Sequence, residues 1–148
     1  MRHSIILSAL LAIILCTGSI LPAKQVDAAY SPTAVVNIAK KYVGVPYKFG
    51  GTSPRGFDCS GFIYYTHKKV GKILPRTAAQ MYQKGKFVSI SSLRPGDLLF
   101  FSTYKKGPSH VALYIGKQQF IHAASKGVRI DRLSNPYWKK AYIGAKRF

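Results

Sequence analysis

The sequence predicts an α+β fold in which N-terminal helices pack on an antiparallel β-sheet. Helical periodicity comes first along the 148-residue chain, and short strand-like segments separated by turn residues come later. That order is typical of the class. Hydrophobic residues make up 47% of the chain and aromatic residues 13%, which is enough for one packed core and argues against a disordered protein.

The helices are predicted in the first part of the chain. Ser31 and Pro32 suit a cap and a first helical position, and apolar residues then recur at helical spacing. The glycines and prolines of residues 44–58 predict a loop without regular structure. Helices are predicted over residues 32–42, 59–70 and 75–82. Strands follow over residues 87–90, 98–101, 110–115, 119–123, 128–132 and 142–146, the last of which closes the sheet.

The first 28 residues have the features of a secretory signal peptide. Arg2 precedes an apolar run, and small residues lie at the expected cleavage site. We expect cleavage after Ala28, with Ala29 as the alternative, so that residues 1–28 are the signal peptide and residues 29–148 a single domain. A retained membrane anchor fits less well because the apolar run is short and interrupted, and bulky Leu15 argues against lipoprotein processing at Cys16.

The charge of the chain is strongly unbalanced. It has 23 basic and 4 acidic residues, all four of them Asp, and a net charge of +19. Such a charge favours polyanionic partners. Because we expect export, anionic cell-wall polymers or membrane surfaces are the predicted partners, and nucleic acid is not expected.

Cys59 is the candidate nucleophile. It is the only cysteine after the predicted cleavage site, so it cannot form an intramolecular disulfide, and an unpaired thiol in an exported protein is a candidate reactive group. Its predicted place at a helix N-terminus favours the thiolate, because unpaired N–H groups and the helix dipole lower a thiol pKa there. The alternative is a buried, inert cysteine.

Two histidines in neighbouring predicted strands complete the candidate site. If the hairpin loop consists of residues 116–118, Ile115 lies opposite Gln119 and Ala112 opposite His122. His110 and His122 then share one face of the sheet, as diagonal neighbours. We expect His110 to be the base and His122 the group that orients it. A loop one residue shorter or longer would separate them.

Other arrangements of these side chains were considered. His67 lies eight residues after Cys59 on the same predicted helix, about 12 Å away along the axis, so it cannot reach the thiol and is expected to be solvated. A zinc site of Cys59, His110 and His122 would have only Asp58 as a fourth ligand. We favour the catalytic interpretation and expect no metal ion and no other cofactor.

An ordered series of motifs lies between residue 33 and Phe148: YKFGG at 47–51, DCSGF at 58–62, LPRT at 74–77, RPGDL at 94–98, SHVALYIG at 109–116 and FIHA at 120–123. In these motifs the chain resembles the NlpC-type cell-wall cysteine endopeptidases. Phe49 stands where the family very often has Trp. Many of these enzymes carry separate wall-binding modules, and we expect the basic surface of this chain to take over that role.

The resemblance implies a papain-like fold with Cys59 as nucleophile, His110 as base and His122 as the third polar residue. It implies cleavage of the bond from D-γ-glutamate to the diamino acid, meso-diaminopimelate or L-Lys, in peptidoglycan stem peptides. Tyr47 would be a hydroxyl donor near the thiol. Three further residues would line the substrate groove: Asp58, which suits a substrate amine, Ser60 and Ser109.

Two other functions stay open at this point. The same scaffold could serve a cell-wall amidase or acyltransferase, and the charge alone could serve a non-catalytic, cationic wall-binding or antibacterial protein. We expect a secreted or wall-associated monomer.

Overall fold

The computed structural model describes residues 30–148. The predicted signal peptide lies outside the described residues, so its cleavage stays a prediction. Within residues 30–148, no helix is both long enough and apolar enough to cross a membrane.

Four helices and eight strands form the described part of the chain, and the predicted α+β class is confirmed. The helices are α1 Pro32–Lys40, α2 Cys59–Lys68, α3 Ala78–Lys84 and α4 Pro136–Ala141. The strands are β1 Thr52–Ser53, β2 Gly56–Phe57, β3 Lys86–Val88, β4 Leu98–Phe101, β5 His110–Gly116, β6 Gln119–Ala124, β7 Gly127–Arg132 and β8 Tyr142–Arg147. A short 3₁₀ turn covers Ile90–Ser92.

Six of these strands form one antiparallel sheet in the order β3-β8-β4-β5-β6-β7. The last strand, β8, therefore lies inside the sheet, between β3 and β4. The prediction that it closes the sheet is wrong. The prediction of an unstructured loop over residues 44–58 is also wrong in part, because β1 and β2 pair as a small hairpin.

Side-chain caps explain where the helices begin. Ser31 accepts a hydrogen bond from the amide of Ala34, and Thr77 forms a reciprocal capping box with Gln80. The sequence analysis missed α4, although its start carries the usual signals. Asn135 caps it, and Pro136 occupies the first helical position.

The β5–β6 hairpin has a different turn from the predicted one but the predicted register. Lys117 and Gln118 both have positive φ, 51° and 62°, and form a two-residue turn flanked by the Gly116–Gln119 pair. A bulge at Ile115 then shifts the pairing by one residue, so that Leu113 faces Ile121. The shorter turn and the bulge compensate each other, and the predicted register holds beyond the bulge.

The sheet is buried on both faces. One core packs it against α1, α2 and α3 and contains Cys59 together with Phe57, Phe62, Met81, Val111, Leu113 and Ile121. The other core lies beneath α4 and contains Leu99, Phe101, Ala112, Phe120 and Trp138. Burial on both faces explains why β4, with four consecutive apolar residues, shows no alternation of polar and apolar positions.

Gly51 and Gly61 let the segment before α2, residues 44–58, lie directly against the start of that helix. The amide of Asp58 donates to the carbonyl of Gly51 at 3.0 Å. A Cβ atom on Gly61 would overlap that same carbonyl oxygen and would lie 2.8 Å from Oδ1 of Asp58. The position of Cys59 therefore requires glycine at residue 61, because any side chain there would push the two segments apart.

We expect Gly61→Ala to lower the free energy of unfolding by about 3 kcal/mol, because the added methyl group meets backbone that cannot move aside easily. Gly71→Ala is the matched control. Gly71 has a φ of 80° but open space around its Cα, so only the backbone strain of about 1–2 kcal/mol applies. Urea denaturation measures both, and equal losses would contradict this account.

Candidate active site

Cys59 is the first residue of α2 and is 9% exposed. Its thiol points towards the carbonyl oxygen of Ser109, with 3.9 Å between sulfur and oxygen. The sulfur also lies close to the backbone amides of Val111 and Ser60, which favour the thiolate. The start of α2 and the start of β5 thus meet at this thiol.

Burial nevertheless raises the pKa of the Cys59 thiol above its ordinary value. The hydrogen bond from the Val111 amide acts in the opposite direction, and the nearby charge of Asp58 adds to the rise. This corrects our expectation of a lowered thiol pKa, since desolvation outweighs the helix N-terminus. Burial therefore favours the neutral thiol over the thiolate.

His110 and His122 are brought together as predicted. Nε2 of His110 lies 2.8 Å from Nδ1 of His122, and both rings contact Trp138 of α4, that of His110 by stacking and that of His122 edge-on. Both side chains are buried, and His122 has no exposed surface. The Trp138 ring thus holds the two imidazoles in one arrangement.

Burial lowers the pKa of both histidines from its ordinary value. For His110, the neighbouring His122 lowers the pKa further, because two imidazolium ions would repel each other. For His122, the hydrogen bond and charge of Asp131 raise the pKa against the effect of burial, and Arg129 lowers it. Both rings are neutral at neutral pH, and a neutral imidazole can accept a proton.

Asp131 is a site residue that the sequence analysis missed. Its Oδ2 lies 2.8 Å from Nε2 of His122 and 2.8 Å from Nε of Arg129. A signal was available: in the β6–β7 pair His122 faces Arg129, so Asp131, two positions further along β7, is its diagonal neighbour. Asp131 was overlooked because we assigned no register to that hairpin.

The other predicted site residues take different positions. Tyr47 is 39% exposed beside the thiol, and burial raises the pKa of its hydroxyl, which stays protonated. Ser109 is buried, and its hydroxyl lies 2.9 Å from the amide nitrogen of Thr103. Ser109 therefore meets Cys59 with its backbone carbonyl and not with its side chain.

Asp58 is not the isolated carboxylate that the sequence indicated. It caps α2 through the amide of Gly61 at 2.6 Å, accepts from the amide of Gly50, and forms a two-pronged ion pair with Arg76 at 2.7 and 3.1 Å. Nη1 of Arg76 also donates to the Ser60 hydroxyl at 2.8 Å. Asp58, Ser60 and Arg76 therefore form one network, in which the charge of Asp58 is already matched.

Two cavities meet at Cys59. One, of about 690 Å³, is lined by residues that include His110, Arg129, Asn135, Tyr137 and Trp138. The other, of about 590 Å³, is lined by residues that include Phe49, Asp58, Ser60, Arg76 and Ser109. Cys59, Tyr47 and Tyr104 belong to both. An extended chain could lie across the thiol with one part in each cavity.

His67 differs from its prediction as a solvated side chain. It is buried, with Nδ1 2.7 Å from the carbonyl oxygen of Ile63, and it stacks on Tyr30. Burial lowers its pKa to about 4. The histidine is a core residue of the helical side. Within residues 30–148, no group of three or more His, Cys, Asp or Glu side chains is arranged to hold a metal ion.

Comparisons with known proteins agree with these features. The sequence model of the NlpC/P60 family matches residues 44–147. The probable peptidoglycan endopeptidase LytE of Bacillus subtilis is 52% identical over 77% of this chain and 34% of its own length. The gamma-DL-glutamyl hydrolase of the same organism is 43% identical over 89% of this chain and 33% of its own length.

The fold is also that of a solved relative. An NlpC/P60 family protein from Bacillus cereus, whose crystal structure is known, superposes with a TM-score of 0.75 at 38% identity, covering 80% of this chain and 40% of that one. The predicted papain-like α+β fold is confirmed by this likeness. The chain spans about a third of the length of the two curated relatives.

We expect the ultraviolet absorbance of the Cys59 thiolate to be absent at neutral pH and to appear only at alkaline pH, because burial raises the thiol pKa above its ordinary value. The measurement is the difference spectrum between the protein and its Cys59→Ala variant across a pH titration. The subtraction removes the signals of tyrosine and of any other cysteine. Thiolate absorbance already present at neutral pH would contradict the neutral thiol and indicate an imidazolium–thiolate pair.

Proposed function

The chain belongs to the NlpC/P60 family, and from that membership we propose that it is a cysteine endopeptidase that hydrolyses peptidoglycan. The observation that carries the proposal is that Cys59, at the start of α2, lines the same cavity as His110, whose ring is hydrogen-bonded to His122. A buried, inert cysteine would not need such neighbours.

The proposed reaction is acyl transfer through a thioester. His110 accepts the proton of Cys59 at Nδ1, the ring nitrogen that is not bonded to His122, as the sulfur attacks the carbonyl carbon of the substrate. The backbone N–H of Cys59 and the hydroxyl of Tyr47 stabilise the oxyanion. The tetrahedral intermediate expels the amine, which takes the proton from His110. Water then attacks the thioester and frees the thiol.

The bond that we propose is the amide between D-γ-glutamate and the diamino acid, meso-diaminopimelate or L-Lys, of a stem peptide. Two findings support it: the family motifs and the 43% identity to a protein named gamma-DL-glutamyl hydrolase. A γ-linked glutamyl residue keeps a free α-carboxylate. Of the basic residues that line the two cavities, Arg76 and Arg129 are paired with aspartates, and Lys105 is the one available to an anionic peptide.

The roles of the predicted substrate-binding residues follow from their partners. Asp58 and Ser60 are proposed to act with Arg76 as one polar wall of the groove, because all three are hydrogen-bonded to one another. Ser109 is proposed to act through its carbonyl group, which faces the thiol. Tyr47 is proposed to donate its hydroxyl proton.

We also propose that the protein is exported and binds anionic wall polymers. The support is its charge. Each Asp in residues 30–148 is paired with an arginine, as Asp58–Arg76, Asp97–Arg147 and Asp131–Arg129, so the other basic residues of that part of the chain have no carboxylate side chain to neutralise them. A field of one sign extends over about 8–10 Å at physiological ionic strength and attracts a polyanion.

Catalysis is tested with defined muropeptides and mass spectrometry of the products. We expect Cys59→Ala and His110→Ala to reduce turnover by about 10³-fold or more, since either change removes the nucleophile–base pair. Lys86→Gln, on the edge strand β3 and exposed, is the control that keeps full activity.

The new termini identify the bond. Release of a free diamino-acid amine and a D-γ-glutamyl carboxylate supports the proposal. An amidase would instead separate the glycan from the peptide, an acyltransferase would join two peptides, and cleavage of a cross-link would leave a D-Ala carboxylate. Full turnover by Cys59→Ala would overturn the thiol mechanism.

Wall binding is tested with purified cell walls and the inactive Cys59→Ala variant, which does not digest them. We expect the apparent affinity to fall by about tenfold or more between low and high salt, because screening shortens the range of the positive field. Walls stripped of their anionic polymers should bind the variant weakly at low salt. Binding that is indifferent to both treatments would exclude electrostatic targeting.

A further inference from the structure

Asp131 takes no direct part in the proposed reaction, yet its carboxylate is hydrogen-bonded to His122, the partner of the proposed base. It lies on β7, next to the strand that carries His122, and its side chain is 19% exposed. Its Oδ2 is 2.8 Å from Nε2 of His122 and 2.8 Å from Nε of Arg129. A continuous series of hydrogen bonds therefore runs from Arg129 through Asp131 and His122 to His110.

The direction of every hydrogen bond in this series follows from its first member. A guanidinium can only donate, so Oδ2 of Asp131 accepts from Arg129, and an ionised carboxylate can only accept. Nε2 of His122 must then carry a proton and donate it to Asp131. A neutral ring with its proton on Nε2 has a bare Nδ1, which accepts from Nε2 of His110. His110 is left with a bare Nδ1.

We propose that Asp131 is a positioning residue that selects the tautomers of both histidines and so leaves Nδ1 of His110 free to accept the proton of Cys59. The inference rests on the proposed function, since it assigns a purpose to that free nitrogen. With the opposite tautomers, His110 would present an N–H to the thiol and could not act as a base.

The rings of His110 and His122 are packed so that they cannot rotate freely. Their tautomers therefore depend on the hydrogen bond to Asp131. His122 has no exposed surface and lies edge-on to Phe120 and Trp138, with centroids 4.9 and 4.8 Å away. The ring of His110 stacks on Trp138 at 5.2 Å. Without the carboxylate, the two rings would stay in place and both tautomer pairs would satisfy the hydrogen bond between them.

The unmodified protein provides the first test. In ¹H–¹⁵N spectra of the labelled full chain at neutral pH, the coupling pattern of each imidazole identifies the protonated nitrogen. We expect Nε2–H and bare Nδ1 for both His110 and His122, assigned with His110→Gln and His122→Gln. A proton on Nδ1 of His110 would overturn the proposal without any change to the carboxylate.

The second test is Asp131→Leu, which keeps the approximate size of the side chain but has no oxygen to accept from Nε2–H of His122. We expect the opposite tautomers to appear in the spectra beside the original ones and kcat to fall by about 10- to 100-fold with KM nearly unchanged, as is usual for the loss of a group that orients a functional side chain. Asp131→Glu should recover part of kcat, because it restores an acceptor.

Asp97→Leu is the matched control. Asp97 forms the same kind of ion pair with Arg147 but lies at the opposite end of β4 from the histidines. It should lower stability without changing the tautomers or kcat. Unchanged tautomers and kcat in Asp131→Leu would overturn the role of Asp131. Full turnover by Cys59→Ala would overturn the proposed function instead, whatever the tautomers are, so the two failures are distinguishable.

Discussion

The candidate site depends first on the register of the β5–β6 hairpin. Side chains alternate between the two faces of a sheet, so a shift of one residue would send His122 into the helical core and away from His110. The two-residue turn at Lys117 and Gln118 would cause that shift by itself, and the bulge at Ile115 reverses it. Every contact between the histidines, and from them to Asp131, follows from this pair of irregularities.

Burial is the second constraint, and it determines the charge state of the site. The thiol and both imidazoles lose water when the sheet and α4 close over them, and loss of water favours the neutral form of each group. Burial therefore favours the thiol over the thiolate at Cys59. The reactivity of the site depends on where the protons of neutral groups lie, which is why an acceptor at the far end of the series, Asp131, can matter to Cys59.

The three described aspartates show how a very basic chain uses its few carboxylates. Each is paired with an arginine, and each holds backbone or side chains at a particular place: Asp58 caps α2, Asp97 connects the turn before β4 to β8, and Asp131 contacts His122. None is left to neutralise the outer surface. Because every described aspartate is used in an ion pair, the remaining basic residues give the outer surface its positive charge.

The sequence by itself determined the class of fold, the helix that begins at Cys59 and the pairing of His110 with His122, because caps, periodicity and turn residues are local signals. It also predicted the family resemblance that the comparisons bear out. Only the tertiary structure decided the protonation of Cys59, the burial of His67, the pairing of Asp58 with Arg76 and the contact between Asp131 and His122. These depend on desolvation and on partners distant in sequence, which no local pattern records.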